Sequence, residues 1–197
     1  MAPHDRPRDW GESVAFLVML ALYFGVPNRY TPGGPTMTLV FGILLAVACA
    51  LSFVLTFFGT ARRRRIGMIS VAAVLTLILF GSLFRIVYLV VYHAATVDAI
   101  RLLASAFVIW VANVVLYAVI YHWIGDEDFI FPEKPGAVAR PLVFLDFLFL
   151  SFTTATAFSP TDTAPVTTRA RMLMMVESAV SLTTIAIAAA RAINILG

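Results

Sequence analysis

Charged residues are scarce in this sequence. Asp, Glu, Lys and Arg make up 13% of the 197 residues, whereas a typical soluble domain contains about 25%. Apolar residues make up 61%, and the mean hydropathy is +0.93. So few charges cannot cover a water-soluble globule of this size, which excludes a soluble enzyme, a nucleic-acid-binding domain and a disordered chain. The sequence therefore predicts an integral membrane protein.

Cysteine and histidine are also rare. The single cysteine, Cys49, cannot form an internal disulfide. The three histidines are widely spaced along the chain, and we expect them near membrane interfaces. The sequence contains no nucleophile–base pair, no glycine-rich phosphate loop and no metal-ligand motif. It therefore predicts no enzymatic activity, no metal and no cofactor.

The apolar residues occur in long runs that do not alternate with polar ones, which favours helices over a β-barrel. The length allows about five or six crossings of a bilayer. We predict an all-α polytopic membrane bundle with six membrane segments, or with five spans and one re-entrant helix. One transmembrane domain is expected over 1–197, with a polar tail at 1–12, four membrane segments within 13–124, a polar loop at 125–140, and a pore-like hairpin with the last helix at 141–197.

Four consecutive arginines, Arg62, Arg63, Arg64 and Arg65, follow an apolar run. Such a block marks the cytoplasmic side of a membrane protein and is compatible with contact to anionic lipids, so we expect a multi-pass protein of the plasma membrane. With this orientation the 125–140 loop is cytoplasmic. We favour a full crossing by 141–158, which reaches about 27 Å as a helix and places 159–169 on the outer side. A re-entrant 141–158 returns the chain to the same side.

Hydroxyl-bearing and charged residues are concentrated in the otherwise apolar segment from Asp146 to Val180. It reads DFLFLSFTTATAFSPTDTAPVTTRARMLMMVESAV. This pattern resembles the pore helix, selectivity filter and inner helix of tetrameric potassium-type cation channels, where SFTT-x-TT-V-G-Y-G-D precedes x-x-P-x-T-x-x-A-R. The matching residues are Ser151, Phe152, Thr153, Thr154 and Thr156 at the end of the pore helix, and Asp162, Pro165, Thr167, Ala170 and Arg171 downstream.

The filter glycines of those channels have no counterpart here. Glycine tolerates the dihedral angles of a carbonyl ladder, whereas Pro160 has a fixed φ and Phe158 is bulky. The resemblance therefore implies a channel-like hairpin, a homotetramer and monovalent cations, without a potassium filter. The stretch GDEDFIFP followed by DFLFLSFTTATAFSPTD also resembles a family of small bacterial six-helix membrane proteins of unknown function.

The predicted cation path is lined by the 153–162 segment and by the last helix. Its residues are Thr153, Thr154, Thr156, Ala157, Phe158, Ser159, Pro160, Thr161, Asp162 and Glu177. Each polar group also has a structural interpretation. The hydroxyls suit helix packing, and Asp162 suits a cap of the last helix. Glu177 suits an ion pair with Arg85, because charged groups inside a membrane usually pair.

The sequence thus favours a small channel-like protein that conducts monovalent cations as a homo-oligomer in a lipid bilayer. Two alternatives remain open. A non-conducting scaffold or partner subunit predicts that every polar residue pairs inside a dry bundle. A secondary transporter is the other, although no inverted repeat or matched pair of broken helices is visible in the sequence.

Overall fold

The structure is a computed structural model, and it describes residues 11–25, 39–40, 42–43, 45–47, 49–50, 54, 61–93, 98–132, 141–157 and 163–196. The longer helices are α1 (Gly11–Gly25), α2 (Ala61–Tyr92), α3 (Ala99–Ile124), α4 (Phe144–Thr156) and α5 (Thr168–Leu196). The described residues between 39 and 54 are also helical. Two-residue strands, β1 (Phe129–Ile130) and β2 (Ala164–Pro165), form one antiparallel pair. The all-α prediction is confirmed.

Three helical stretches among the described residues are long and apolar enough to cross a membrane. They are Ile69–Tyr92, Ala99–Ile124 and Thr168–Ala190. Two shorter apolar stretches, Val14–Gly25 and Phe144–Thr156, fall below the length that a span needs. The structure therefore supports an integral membrane protein, as the composition predicts.

Helix α3 lies at the centre of the described bundle and packs against α1, α2, α4 and α5. Its first turn is capped by Asp98, whose carboxylate accepts hydrogen bonds from the backbone N–H groups of Ile100 and Arg101. It ends at Gly125, which has a φ of 94° that glycine adopts without strain. Because α3 touches four helices, its side chains contribute to both hydrophobic clusters of the described core.

Helix α4 has 13 residues and is about 20 Å long. At its start the Asp146 carboxylate accepts a hydrogen bond from the Val143 N–H, at 2.9 Å, and its negative charge suits the N-terminal end of the helix dipole. At its end Ala157 adopts a left-handed conformation with a φ of 56°. The helix is thus closed at both ends and is shorter than the 18-residue apolar run 141–158 suggests.

Helix α5 begins directly after Thr167, which caps its first turn. The Thr167 hydroxyl accepts a hydrogen bond from the Ala170 N–H at 3.2 Å. The cap that the sequence assigned to Asp162 therefore comes from Thr167, and Asp162 itself lies outside the described residues. Along its length α5 packs against α3 and α4, which brings its polar residues into contact with theirs.

Candidate functional site

The connection after α3 is fastened to the connection before α5. Strand β1 pairs with β2, with Phe129 opposite Pro165 and Ile130 opposite Ala164. Beside this pair, the buried Asp128 side chain forms an ion pair with Arg169 and accepts a hydrogen bond from the Thr167 hydroxyl. We call Asp128, Thr167 and Arg169 the terminal clamp.

The terminal clamp bears on the choice between a full crossing and a re-entrant 141–158. A full crossing by 141–158 requires the 125–140 loop and the 159–169 segment to lie on opposite faces of the membrane. The described parts of these two segments instead touch, since β1 pairs with β2 and Asp128 binds Thr167 and Arg169. Groups in direct contact cannot be separated by a hydrocarbon core of about 30 Å.

A buried polar core joins α3, α4 and α5. It consists of Asn113, Tyr121, Ser151, Glu177 and Ser181, each at most 1% exposed. The Tyr121 hydroxyl donates to Glu177 Oε2, and the Ser151 hydroxyl contacts Glu177 Oε1. Asn113 Nδ2 donates to the Glu177 backbone carbonyl at 3.2 Å and to Ser181 Oγ at 2.9 Å. The carboxyl group of Glu177 is thus surrounded by neutral partners from two neighbouring helices.

The structure does not bring Arg85 and Glu177 together. Arg85 lies on α2 with its guanidinium carbon 5.9 Å from the centre of the Tyr88 ring, and its Nε atom is buried with no hydrogen-bond partner among the described residues. Glu177 lies on α5, which packs mainly against α3 and α4. Hydroxyl groups on those two helices therefore take the place of the expected arginine.

The threonines of the predicted path bond to their own helix. The Thr153 and Thr154 hydroxyls donate to the Leu150 carbonyl at 2.9 and 2.8 Å, and the Thr156 hydroxyl donates to the Phe152 carbonyl at 2.8 Å. The Ser178 hydroxyl of α5 lies 3.4 Å from the Thr154 carbonyl. These contacts satisfy the hydroxyls within one protomer and dock the last turn of α4 on α5.

The last turn of α4 lies well inside the bundle, far from the terminal clamp. Ser178, its neighbour on α5, is about 15 Å along the helix axis from the first residue of α5. On the other side, Ser151 Oγ is 2.7 Å from the Val114 carbonyl in the middle of α3. Beyond this level Ala157 is exposed on the protomer. The helix thus starts near the clamp and ends about 15 Å farther along α5.

Several predicted residues lie outside what the structure describes. They are Phe158, Ser159, Pro160, Thr161 and Asp162. Arg62, Arg63, Arg64 and Arg65 belong to the first turns of α2, but their side chains also lie outside the described part. The described portion of the predicted path is therefore the α4 end with Ala157, together with α5.

Sequence reasoning missed three polar residues of this site. Asn113 and Tyr121, with Tyr117 between them, are spaced by four residues and so share one face of α3, which is a detectable signal for a polar helix face. Asp128 is one of three consecutive acidic residues, and nothing local distinguishes it from its neighbours. Its partners lie far away in the chain.

Comparison with protein-family models, with curated proteins and with solved structures finds no match for this chain. The arguments for function therefore depend on the geometry of the chain itself and on the motif resemblance of its Asp146–Val180 segment.

Proposed function

We propose that this chain is a channel-like membrane protein that conducts monovalent cations as a homo-oligomer. In this proposal α4 is re-entrant: the chain enters the membrane after β1, stops being helical at depth, and returns to the same face before β2. The observation that carries the proposal is the end of α4. Ala157 is exposed and has left-handed backbone, and it follows a turn that contacts Ser178, about 15 Å along α5 from the start of that helix.

Non-helical backbone is tolerated at membrane depth only where protein buries it or where it lines a water-filled cavity. The last carbonyl groups of a helix have no partner within that helix, and at the end of α4 the Thr154 carbonyl instead accepts from the Ser178 hydroxyl of α5. Acyl chains offer these groups no hydrogen bonds. Since Ala157 is exposed on a single protomer, a second copy and enclosed water are the environments that suit it.

The sign of the permeating ion follows from the direction of α4. A helix carries partial negative charge at its C-terminal end, and it is this end that lies at depth. Half-helix ends of this kind coordinate cations in membrane proteins. The arrangement supports cation passage near the last turn of α4, where Thr156 is partly exposed.

The exposed face of α5 supports association between copies. Its small residues recur at helical spacing and let backbones approach closely; they are Ala179, Thr183, Ala186 and Ala190. The resemblance to tetrameric channels makes a homotetramer the expected assembly. Glu177 is fully enclosed by its own protomer, so we assign the path to the α4 end and the α5 surface rather than to this carboxyl.

The proposed orientation uses the arginine block at the start of α2. Helices α2 and α3 pack against each other and are joined by a short connection, so the start of α2 and the end of α3 lie at the same end of the bundle. Arginine clusters favour the cytoplasmic face and anionic lipids. We therefore propose that the clamp faces the cytoplasm in a plasma membrane.

The direct test is cation flux into liposomes that contain the purified protein. We expect potassium or sodium flux that Thr156→Val changes and that a charged thiol reagent blocks in an Ala157→Cys variant. The native cysteine, Cys49, is buried, and Cys49→Ala supplies the background. The matched control is Leu77→Cys, an exposed apolar position on α2, which should be unreactive because it faces acyl chains.

Either of two results would overturn the proposal. One is the absence of cation flux under any gradient from protein that is folded and oligomeric. The other is that Ala157→Cys reacts no faster with the charged reagent than Leu77→Cys, since a wet path requires water at Ala157 and not at Leu77.

A non-conducting scaffold or partner subunit is the second candidate. It is favoured by one observation, that the α4 threonines and Glu177 are satisfied within one protomer. In that case an oligomer covers Ala157 with dry protein. A stable oligomer without flux, with Ala157→Cys unreactive, would support this function.

A further inference from the structure

Glu177 is an acidic residue in a membrane-length helix, and its immediate partners are not positively charged. The described groups that contact its carboxyl are the Tyr121 phenol of α3 and the Ser151 hydroxyl of α4. The other titratable group beside it is the Tyr117 phenol, whose ring centre lies 5.8 Å from that of Tyr121. An isolated carboxylate buried in an apolar medium is strongly disfavoured.

The hydrogen atoms available at Ser151 decide which form of Glu177 fits. Ser151 Oγ contacts two acceptors, the Val114 carbonyl oxygen at 2.7 Å and Glu177 Oε1. A serine hydroxyl has one hydrogen to donate. If Glu177 is ionised, Ser151 can donate its hydrogen to only one of these two oxygens. The other oxygen then faces Ser151 Oγ with no hydrogen between the two atoms. If Glu177 carries a proton on Oε1, every contact in the set receives one hydrogen.

We infer that Glu177 is a neutral carboxylic acid and a positioning residue for α4. It accepts a hydrogen bond from Tyr121 and donates its own proton to Ser151, and Ser151 donates in turn to the Val114 carbonyl. This directional chain connects α3, α4 and α5 with no charge to bury. A neutral chain of hydrogen bonds of this kind also favours one arrangement of the helices that contribute to it.

The consequence concerns the orientation of α4 about its own axis. Ser151 lies in the second half of α4, and the same segment ends at Ala157. Holding Ser151 against α3 and α5 therefore sets the direction in which the last turn and Ala157 face. That direction matters for permeation only if the proposed function is correct. The protonation of Glu177 is independent of the proposed function.

Glutamine provides a test of this inference, because it offers one acceptor and a donor at the positions of the two carboxyl oxygens. In Glu177→Gln the amide oxygen accepts from Tyr121 and the amide nitrogen donates to Ser151, as the neutral acid does. We expect Glu177→Gln to unfold at nearly the wild-type temperature in detergent. Glu177→Leu, which removes both bonds, should lower the apparent unfolding temperature by about 5 °C.

Infrared spectroscopy reports the proton directly. The wild-type protein in vesicles at neutral pH should show the C=O stretching band of a protonated carboxylic acid, and this band should be missing from Glu177→Gln. The reaction rate of Ala157→Cys with a thiol reagent reports the orientation of α4. It should be unchanged when Glu177→Gln is added and altered when Glu177→Leu is added.

The inference is overturned if the wild-type protein has no such infrared band at neutral pH, or if Glu177→Gln is as unstable as Glu177→Leu or fails to fold. An Ala157→Cys rate that is the same in folded Glu177→Leu would remove the positioning role. These outcomes are independent of ion flux. A protein that shows the band and the rate change but conducts nothing would refute the proposed function alone.

Discussion

Asp128, just after α3, forms an ion pair with Arg169 in the first turn of α5, although 41 positions separate them in the chain. This ion pair, the hydrogen bond from the Thr167 hydroxyl and the β1–β2 pair hold the two ends of the segment between Asp128 and Arg169 together. The segment is therefore a loop that starts and ends at one place. Helix α4 is the helical part of that loop. The contacts at the two ends of this loop therefore hold the start and the return of the α4 segment together.

The terminal clamp should therefore contribute measurably to stability. The Asp128 side chain is 1% exposed and the Arg169 side chain 60% exposed, so the pair is partly shielded from water. Asp128→Ala removes the ion pair and the Thr167 bond, and we expect a loss of about 2 kcal/mol. This corresponds to a decrease of about 5 °C in the unfolding temperature, measured in detergent.

The control is Glu127→Ala, because Glu127 is the exposed neighbour of Asp128 in the same turn. Its removal should have almost no effect on the unfolding temperature. Equal losses in the two variants would show that the acidic turn acts through net charge, and the specific role of Asp128 would be refuted.

The pairing of β1 with β2 predicts a disulfide. Ile130 and Ala164 are direct partners in the antiparallel register, where Cβ atoms lie about 4.5–5.5 Å apart, close to the distance that a disulfide needs. In a Cys49→Ala background, Ile130→Cys with Ala164→Cys should crosslink under mild oxidation. Mass spectrometry of the linked peptides is the readout.

Tyr92, which is 70% exposed at the far end of α2, provides the negative control. Ile130→Cys with Tyr92→Cys should remain unlinked under the same oxidation. If the Ile130–Ala164 pair stays reduced while both cysteines react with a maleimide, the two connections do not lie side by side, and a full crossing by α4 is restored.

The helices could be predicted from the sequence because long apolar runs and their polar boundaries are local features. Asp98 before the run 100–124 and the polar loop after it mark the two ends of α3 closely. The extent of α4 was less predictable. Its apolar run is longer than the helix, and the left-handed turn at Ala157 occurs in an alanine that gives no sequence signal for it.

The partners of Glu177 could not be predicted for a different reason. An acidic and a basic residue in neighbouring apolar runs predict an ion pair, and Arg85 was the basic residue available to Glu177. Tyr121 and Ser151 satisfy the same carboxyl without any charge, and they are 56 and 26 positions from Glu177. Choosing between the two solutions requires knowing which helices pack against α5, and this is a property of the folded chain.

The start of α1 should be sensitive to a single methyl group. A Cβ atom on Gly11 would lie 2.7 Å from Cγ of Phe144, the first residue of α4. This is far inside van der Waals contact, so Gly11→Ala must displace the aromatic ring or the helix. We expect a destabilisation of about 1–3 kcal/mol, measured as a shift in the unfolding temperature.

Gly25 is the matched position at the other end of α1, because a Cβ atom there would meet nothing within 4 Å. Gly25→Ala should leave the unfolding temperature unchanged or raise it slightly, since alanine reduces the freedom of the unfolded chain. If Gly11→Ala is tolerated as well as Gly25→Ala, α1 and α4 do not approach each other this closely.

The end of α4 offers the last test, because glycine should have opposite effects at two alanines of the same helix. Ala157 has a φ of 56°, a conformation that disfavours a residue with a Cβ atom by about 1–2 kcal/mol. Ala155 is buried within the helix, where glycine disfavours folding by about 1 kcal/mol relative to alanine. Ala157→Gly should therefore unfold at or above the wild-type temperature, while Ala155→Gly should unfold about 3 °C lower. If Ala157→Gly is as destabilising as Ala155→Gly, the helix continues through Ala157. In that case the exposed helix end on which the proposed cation path depends does not exist.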